Sequence, residues 1–222
     1  MDSERRFTAD AAHELRKPVA AVRAQAEVAR STGDEAVRGK ALDQVIHACD
    51  RMGVLMEQLL TLARLEQAPS TQLQTPLDLA LIVRNAIAEL APAALQNGID
   101  ISLESSGNTT VTGRAALLDM LIRNLLSNAI QHGRSDVQVR IKALPGGVTL
   151  TVSDAGPGVA PADLTQLGDR FFRGGATGPG SGLGLSIVRR VADLHQAALR
   201  FRNDDSGRGF VASATFPAAD RS

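Results

Sequence analysis

An apolar stripe along residues 42–63 constrains the fold more than any other feature of this sequence. Apolar side chains recur there at alternating spacings of three and four residues, at Leu42, Val45, Cys49, Met52, Met56, Leu59 and Ala63, and Ile46, Leu55 and Leu62 widen the stripe. This spacing places the side chains on one helix face and is typical of the seam of a coiled coil or four-helix bundle. A single hairpin of helices buries only part of so wide a stripe. The sequence therefore predicts a homodimer in which two hairpins form a four-helix bundle.

A first helix is predicted before this stripe, over residues 7–30, which are rich in alanine and leucine-type residues. Ser31-Thr32-Gly33-Asp34 then supplies helix breakers and a cap for the second helix. The predicted helical domain covers residues 1–67. The stretch 67–76 holds two prolines, a serine, two threonines and three glutamines, so residues 68–76 are predicted to be a linker.

Residues 77–222 are predicted to form a second domain that mixes helices and strands. Pro145-Gly146-Gly147 separates two alternating runs and indicates a hairpin. Antiparallel hairpins beside segregated helices favour an α+β fold, a two-layer sandwich with helices on one sheet face, over a doubly wound parallel sheet. Helices are expected over 79–96, 115–131 and 181–195, and strands over 99–104, 109–112, 137–144, 148–153, 198–202 and 209–216.

Charge and cysteine content argue against several classes of function. Lysine and arginine total 24 and aspartate and glutamate total 24, so no net field draws the chain to nucleic acid or to an anionic membrane surface. The single Cys49 gives neither a disulfide framework nor a zinc-binding spacing. The most apolar region, residues 77–95, is interrupted by Asp78, Arg84 and Glu89 and does not predict a membrane span.

Two asparagines and a histidine share one face of the helix predicted to begin at residue 115. Asn124 and Asn128 lie four residues apart, and His132 follows four residues later. Neutral amide oxygens can ligate magnesium without adding charge beside a triphosphate. An ordinary polar helix face gives the same pattern, so the asparagines alone leave both interpretations open.

Two glycine motifs follow in the same domain. Asp154-Ala155-Gly156-Pro157-Gly158 places a carboxylate at a predicted strand end, where it can accept a hydrogen bond from a purine amino group while the glycines admit the ring. Gly180-Ser181-Gly182-Leu183-Gly184-Leu185 opens a predicted helix, whose N-terminal N–H groups favour phosphate. Each motif alone is also typical of a plain turn, and the lysine of a P-loop does not follow the second.

Together, and in this order, the asparagine helix and the glycine motifs resemble the N, G1 and G2 boxes of the histidine-kinase branch of the gyrase, heat-shock chaperone and mismatch-repair ATPases. Phe171-Phe172-Arg173 resembles that branch's F box, and residues 174–180 then correspond to a short lid over the nucleotide. The resemblance implies a Bergerat-type fold that binds ATP and Mg²⁺, with Asn124 and Asn128 on the metal. The residues that it implies for the nucleotide are Asn124, Asn128, His132, Asp154, Gly156, Gly158, Phe172, Arg173, Gly180, Gly182, Leu183, Gly184 and Leu185.

The first predicted helix carries a segment, residues 7–18, that resembles the H box of sensor histidine kinases, close to that of a quorum-sensing branch. By that resemblance His13 is the phosphoacceptor. Glu14 is suited to accept or orient the proton on the other imidazole nitrogen. Pro18 removes the helix hydrogen bond to the Glu14 carbonyl and is expected to bend the helix one turn from His13.

A few positions depart from the family pattern. Lys17 stands where the family has threonine, serine or asparagine, the residue thought to hold water for a phosphatase reaction, so weak phosphatase activity is expected. Gln196-Ala197 replaces glycines in a turn, and Arg114 replaces a common acidic residue; neither change touches the proposed chemistry. His47 and His195 are expected to be exposed surface histidines.

The resemblance covers nearly the whole chain and implies the core of a two-component sensor histidine kinase. His13 is expected to take a phosphoryl group from ATP, and an aspartate of a response regulator docked on the helical bundle is expected to receive it. Sensing and transmembrane regions usually precede the H box in this family. We therefore expect a cytoplasmic fragment, with no membrane contact of its own, of a protein anchored in the bacterial inner membrane.

Two other functions are compatible with an ATP-binding domain of this type. An ATP-hydrolysing clamp needs a glutamate at the position of Asn124 as general base, and an amide cannot take a proton in that way. A dimeric adaptor that binds ATP without catalysis is disfavoured by the intact His13, Glu14, Asn128 and glycine motifs. The sequence therefore predicts an ATP-dependent protein-histidine kinase.

Overall fold

The computed structural model describes residues 2–67, 75–133, 136–175, 180–205, 207 and 209–218. The chain divides into two units, Met1–Arg64 and Leu65–Ser222. A helical region followed by a unit of helices and sheet confirms the predicted α+β class. Most of the predicted linker, residues 68–74, lies outside the described residues.

Two long helices build the first unit, α1 (Asp2–Ser31) and α2 (Glu35–Gln67). α1 begins at Asp2 rather than at residue 7, and Pro18 lies within it. The break between the helices falls where it was predicted. Asp34 Oδ1 accepts hydrogen bonds from the N–H groups of Ala36, at 2.8 Å, and Val37, at 3.3 Å, and so caps α2.

The apolar stripe of α2 is only partly buried in the single chain. Its fully covered residues recur every seven positions, at Ala41, Ala48, Leu55 and Leu62. Three members of the predicted seam, Leu42, Cys49 and Met56, each lie one residue after a buried position and are exposed. One neighbouring helix covers only one side of a stripe this wide. A second apolar row, the outer stripe, therefore stays largely uncovered; it consists of Leu42, Ile46, Cys49, Gly53, Met56 and Leu60.

The strands of the second unit form two groups in the part of the chain that the structure describes. The strands are β1 (Thr75–Asp78), β2 (Ile101–Ser106), β3 (Thr110–Gly113), β4 (Val137–Leu144), β5 (Gly147–Ser153), β6 (Ala198–Asn203) and β7 (Phe210–Pro217). One sheet has the order β2-β4-β5-β7-β6, in which β2 and β4 are parallel and the other neighbours antiparallel. β1 and β3 form a separate antiparallel pair, with Thr75 opposite Gly113. The prediction did not include β1, since it assigned Thr75 and Pro76 to the linker.

Three helices pack with this sheet: α3 (Leu79–Gln96), α4 (Ala115–His132) and α5 (Gly184–Leu194). α4 contacts α3, α5 and the strands β4 and β5. Its apolar face is completely buried, as are the alternate residues of the central strands that face the core. This is the predicted two-layer sandwich. Among the described helices, α3 alone is long and apolar enough to cross a membrane, but its Leu79, Val83 and Ala86 are fully buried, as in a core helix.

His195 is buried, which contradicts its predicted surface position. Only 4% of it is exposed; its Nδ1 lies 2.8 Å from the Val191 carbonyl oxygen, and its Nε2 accepts the Arg114 N–H at 3.2 Å. A Cβ on Gly113 would come within 2.7 Å of the imidazole ring. His195 therefore connects the end of α5 to the residue that precedes α4. His47, by contrast, is exposed on α2 as predicted.

Candidate active site

The turn of residues 154–158 follows β5 directly and holds a buried carboxylate. Asp154 is 8% exposed, and its Oδ1 accepts the N–H of Gly156 at 2.8 Å. Its backbone N–H donates to the Phe210 carbonyl at 3.0 Å. Burial raises the pKa of Asp154, and hydrogen bonds from the backbone of Gly156 and Phe210 and the charge of His132 oppose that rise. The turn thus presents a fixed acceptor in a partly dry environment.

Neighbouring groups approach the two glycines of this turn so closely that neither position has room for a side chain. A Cβ on Gly156 would come within 2.4 Å of the His132 carbonyl oxygen, at the end of α4. Gly158 has a φ of 73°, and a Cβ there would lie 2.9 Å from Asn203 Oδ1. A larger residue at either position would push the turn away from its neighbours.

Asn124 of α4 faces the start of α5. Asn124 Nδ2 donates to the Met120 carbonyl at 2.8 Å, which leaves its Oδ1 as the outward atom. That oxygen lies 3.1 Å from the position a Cβ on Gly184 would occupy. Asn128 is half-buried one turn later on the same helix face. Asn124 of the N motif and Gly184 of the G2 motif are therefore in contact.

His132 completes this face of α4 and lies beside two predicted site residues. Burial lowers the pKa of His132; the Asp154 carboxylate opposes this effect, and Arg173 lowers the pKa further. His132, Asp154 and Arg173 are thus close enough to influence one another's charge. Burial and the charge of Arg173 thus favour the neutral form of this imidazole, and Asp154 favours the charged form.

The second glycine motif begins in the left-handed region, and this delays the helix start. Gly182 has a φ of 72°, and a Cβ there would lie 2.6 Å from the Phe171 carbonyl carbon. The Phe171 N–H donates to the Gly182 carbonyl at 3.0 Å, which joins the F and G2 motifs through their backbones. α5 consequently begins at Gly184 rather than at residue 181.

Leu183 and Leu185 lie on either side of Gly184, the first residue of α5. The Leu183 side chain is completely buried, and its N–H donates to Ser181 Oγ at 3.1 Å. The N–H groups of Gly184, Leu185 and Ser186 belong to the first turn of α5, where they have no acceptor within the helix. Together with the helix dipole, such groups attract phosphate.

The segment between the F and G2 motifs is described only at its two ends. Phe172 is half-buried beside Gly174, and Arg173 is exposed. Gly180 lies next to the last turn of α4, where a Cβ would come within 3.8 Å of Gln131 Nε2. Residues 176–179 lie outside the described residues, so the lid stays a prediction.

The predicted phosphoacceptor and its neighbours lie on α1 in the first unit. His13 is exposed, and Glu14 is half-buried. Lys17 Nζ lies 2.5 Å from Glu14 Oε1, an ion pair across one helical turn. The imidazole is therefore open to a reaction partner, while the adjacent carboxylate already has a cationic neighbour.

Sequence reasoning missed two residues that hold the 154–158 turn. Gly209 donates its N–H to the Gly156 carbonyl at 2.7 Å, and a Cβ on it would lie 2.4 Å from the Asp154 carbonyl oxygen. Asn203, at the end of β6, bonds to Val159 through both atoms of its side-chain amide. Neither residue belongs to a local motif, because both act on a segment remote in sequence.

Both units match known protein families. Residues 3–68 match the His Kinase A (phospho-acceptor) domain, HisKA, and residues 113–220 match HATPase_c, the histidine kinase-, DNA gyrase B- and HSP90-like ATPase. The sensor protein QseC of Salmonella typhi is 45% identical over 217 residues, which cover 96% of this chain and 47% of QseC. The chain therefore spans about half the length of the curated relatives it matches.

Solved structures show the same architecture. The cytoplasmic segment of histidine kinase QseC aligns with a TM-score of 0.53 at 28% identity, over 77% of this chain and 95% of that one. The histidine kinase ThkA in complex with the response regulator protein TrrA aligns with a TM-score of 0.77 over 96% of this chain and 61% of ThkA. At 18% identity, the second likeness supports the fold alone.

Proposed function

The chain belongs to the sensor histidine kinases, and from this membership we propose that it transfers the γ-phosphoryl group of ATP to its own His13 and then to an aspartate of a response regulator. The observation that carries the proposal is the convergence of the three motifs of the second unit. Asn124 meets Gly184 at the start of α5, and Asp154 and Gly156 meet the end of α4.

ATP is the substrate that fits this arrangement. Asp154 accepts a hydrogen bond from the adenine amino group. Gly156 and Gly158 let the turn pack closely on His132 and Asn203, which fixes that carboxylate. The phosphates lie toward the first turn of α5, where N–H groups and the helix dipole favour negative charge. Arg173, exposed at the edge of the site, supplies further positive charge. Phe172 and His132 complete the walls.

Magnesium fits the donor set on α4. The Asn124 amide nitrogen is engaged by Met120, so its oxygen faces the start of α5, and the Asn128 side chain lies one turn away. Uncharged oxygen donors suit a divalent cation shared with phosphates. When bound, magnesium neutralises phosphate charge. Asn124 and Asn128 are the residues that we propose hold it.

In the transfer step, an imidazole nitrogen of His13 attacks the γ-phosphorus. A nitrogen–phosphorus bond forms, the bond to the bridging oxygen breaks, and ADP leaves with that electron pair. Glu14 receives or orients the proton of the other imidazole nitrogen. The aspartate of the regulator then attacks the same phosphorus and His13 leaves. Such transfers depend mainly on positioning, because the loose transition state needs little covalent assistance.

Lys17 bears on a second activity, dephosphorylation of the regulator. Holding an attacking water requires a hydrogen-bond acceptor, and an ammonium group has none. In addition, the Lys17 ammonium is paired with Glu14, the nearest carboxylate. We therefore propose that this kinase has weak phosphatase activity.

The proposed assembly is a homodimer that works in the cytoplasm. The outer stripe of α2 leaves Ile46 and Leu60 more than half exposed in the single chain, at 58% and 59%. A second copy of the hairpin covers this row by forming a four-helix bundle. We propose that the parent protein is anchored in the inner membrane and that a response regulator docks on the bundle; the histidine kinase ThkA likewise forms a complex with a response regulator protein, TrrA.

Incubation with labelled ATP and magnesium tests the proposal. The chain should acquire an acid-labile phosphoryl group, and His13→Gln should abolish it. His47→Gln is the matched control, since His47 is an exposed histidine on the other helix of the hairpin and should leave labelling intact. Label that resists acid, or that persists in His13→Gln, would contradict the assignment.

A further inference from the structure

Asn203 forms an unusually complete contact with a residue 44 positions away. Its Oδ1 accepts the Val159 N–H at 2.8 Å, and its Nδ2 donates to the Val159 carbonyl at 2.7 Å. One side-chain amide thus satisfies both backbone groups of Val159, as a neighbouring strand would. Val159 directly follows the 154–158 turn, so this contact fixes the exit of the turn.

The same turn is held at two further points by Gly209 and Phe210, at the start of β7; together with Asn203, the last residue of β6, they form the β6–β7 segment. The Gly209 N–H donates to the Gly156 carbonyl at 2.7 Å, and the Asp154 N–H donates to the Phe210 carbonyl at 3.0 Å. A Cβ on Gly158 would lie 2.9 Å from Asn203 Oδ1, so this glycine also packs against Asn203. The entry, the middle and the exit of the turn are therefore all attached to this segment.

The opposite side of the turn rests on α4. A Cβ on Gly156 would collide with the His132 carbonyl oxygen at 2.4 Å, and one on Gly133 would lie 3.2 Å from Asp154 Cβ. The turn is thus enclosed between α4 and the β6–β7 segment. Because α4 also carries Asn124 and Asn128, any shift of the turn changes the position of Asp154 relative to them.

We infer that Asn203 is a positioning residue that sets the preference of this kinase for the adenine base. It acts through the 154–158 turn, whose Asp154 takes the adenine amino group under the function proposed above. An amide side chain presents a donor and an acceptor on two neighbouring atoms, which matches the carbonyl and the N–H of Val159. An aspartate keeps the acceptor for the Val159 N–H but places a second acceptor oxygen against the Val159 carbonyl, so it should not restore the position of the turn.

The test compares nucleotide binding by the full chain and three variants, using calorimetry with ATP, GTP and tripolyphosphate in the presence of magnesium. Asn203→Ala should weaken ATP binding about tenfold, since two hydrogen bonds that place the turn are lost. Tripolyphosphate binding, which involves the start of α5, should not change. The ratio of ATP to GTP affinity should therefore fall in Asn203→Ala and in Asn203→Asp.

Asn108→Ala is the matched control. Asn108 is an exposed asparagine whose Oδ1 accepts the Thr110 N–H at 3.0 Å, beyond the end of β2. That strand end lies beside the β4–β5 turn, at the opposite end of the sheet from Asp154. The control should bind all three ligands as the unmodified chain does. Hydrogen exchange at the Val159 amide should accelerate in Asn203→Ala and not in Asn108→Ala.

The outcomes separate this inference from the proposed function. Failure of the unmodified chain to bind ATP would overturn the proposed function, and this inference with it. Normal ATP binding by the unmodified chain and an unchanged ATP to GTP ratio in Asn203→Ala would overturn the positioning role alone. Equal loss of ATP and tripolyphosphate binding in both Asn203 variants would also overturn it, because that result means general destabilisation.

Discussion

Ile46→Asp should convert the proposed dimer of the kinase core to monomers. Ile46 belongs to the outer stripe and is 58% exposed in the single chain. Full burial of an isoleucine side chain stabilises by about 1.5–3 kcal/mol, so covering this exposed part contributes about 1–1.7 kcal/mol per protomer. The residue occurs twice in a symmetric dimer. Losing both copies therefore costs about 2–3.5 kcal/mol and raises the dimer dissociation constant about 30- to 300-fold. The unpaired carboxylate adds a desolvation cost.

The matched control is Val54→Asp. Val54 is 56% exposed on the same helix but lies outside the outer stripe. Analytical ultracentrifugation over a range of concentrations measures the dissociation constant, and circular dichroism verifies that both variants keep their helices. The reasoning is refuted if Ile46→Asp dimerises as tightly as the unmodified chain, or if Val54→Asp dissociates to the same extent.

Three further predictions follow from the two units. Asn128→Ala should keep the fold but lose the magnesium-dependent part of the thermal stabilisation by ATP, which at a hundredfold excess over Kd is about 2.7 kcal/mol; an unchanged shift would argue against the metal site. Lys17→Thr should speed decay of the phosphorylated regulator in ADP and magnesium, since it supplies a water-orienting hydroxyl and releases Glu14; equal or faster decay with the unmodified chain would remove the role of the lysine. Burial lowers the pKa of His195, so the unfolded chain binds more protons as the pH falls below about 6.5 and stability decreases. Chemical denaturation at pH 7.5 and 5.5 measures the free energy of unfolding. Between these pH values the unmodified chain should lose up to about 1.4 kcal/mol more than His195→Gln, and an identical pH dependence in both proteins would contradict the prediction.

Regular elements were predictable from the sequence where local signals agree with the tertiary structure. α3 occupies the predicted range because Asp78 caps it: its Oδ1 accepts the Ala80 N–H at 3.0 Å. β4 also matches, since its alternating pattern reflects one buried face. β1 was missed because Thr75 and Pro76 have the composition of a linker and become a strand only by pairing with β3, which is remote in sequence.

The motifs of the candidate site were recognisable from the sequence, and the residues that support them were not. Asp154 and the glycines of its turn form a recognisable pattern because they are adjacent in sequence, although the groups they pack against, such as His132 and Asn203, are remote. Asn203 was missed because a lone asparagine at a strand end gives no sign of a partner 44 residues away. His195 was assigned to the surface for a similar reason, since its burial depends on Gly113 and Arg114. Gln196 stands where the family has glycine. Its φ of 53° lies in the left-handed region that favours glycine, so the turn keeps a glycine-like backbone although the side chain is glutamine.

The location of β7 determines when the second unit can be completed during synthesis. β7 comes last among the described strands, yet it lies between β5 and β6 and pairs Val211 with Ser153 and Ala212 with Phe201. Contacts between the two helices of the hairpin are closer in sequence and can form while the ribosome is still adding residues. Until Phe210 and its successors emerge, β5 and β6 each have an unpaired edge that can associate with other chains. A chain that stops before β7 should therefore aggregate rather than yield a smaller ATP-binding unit.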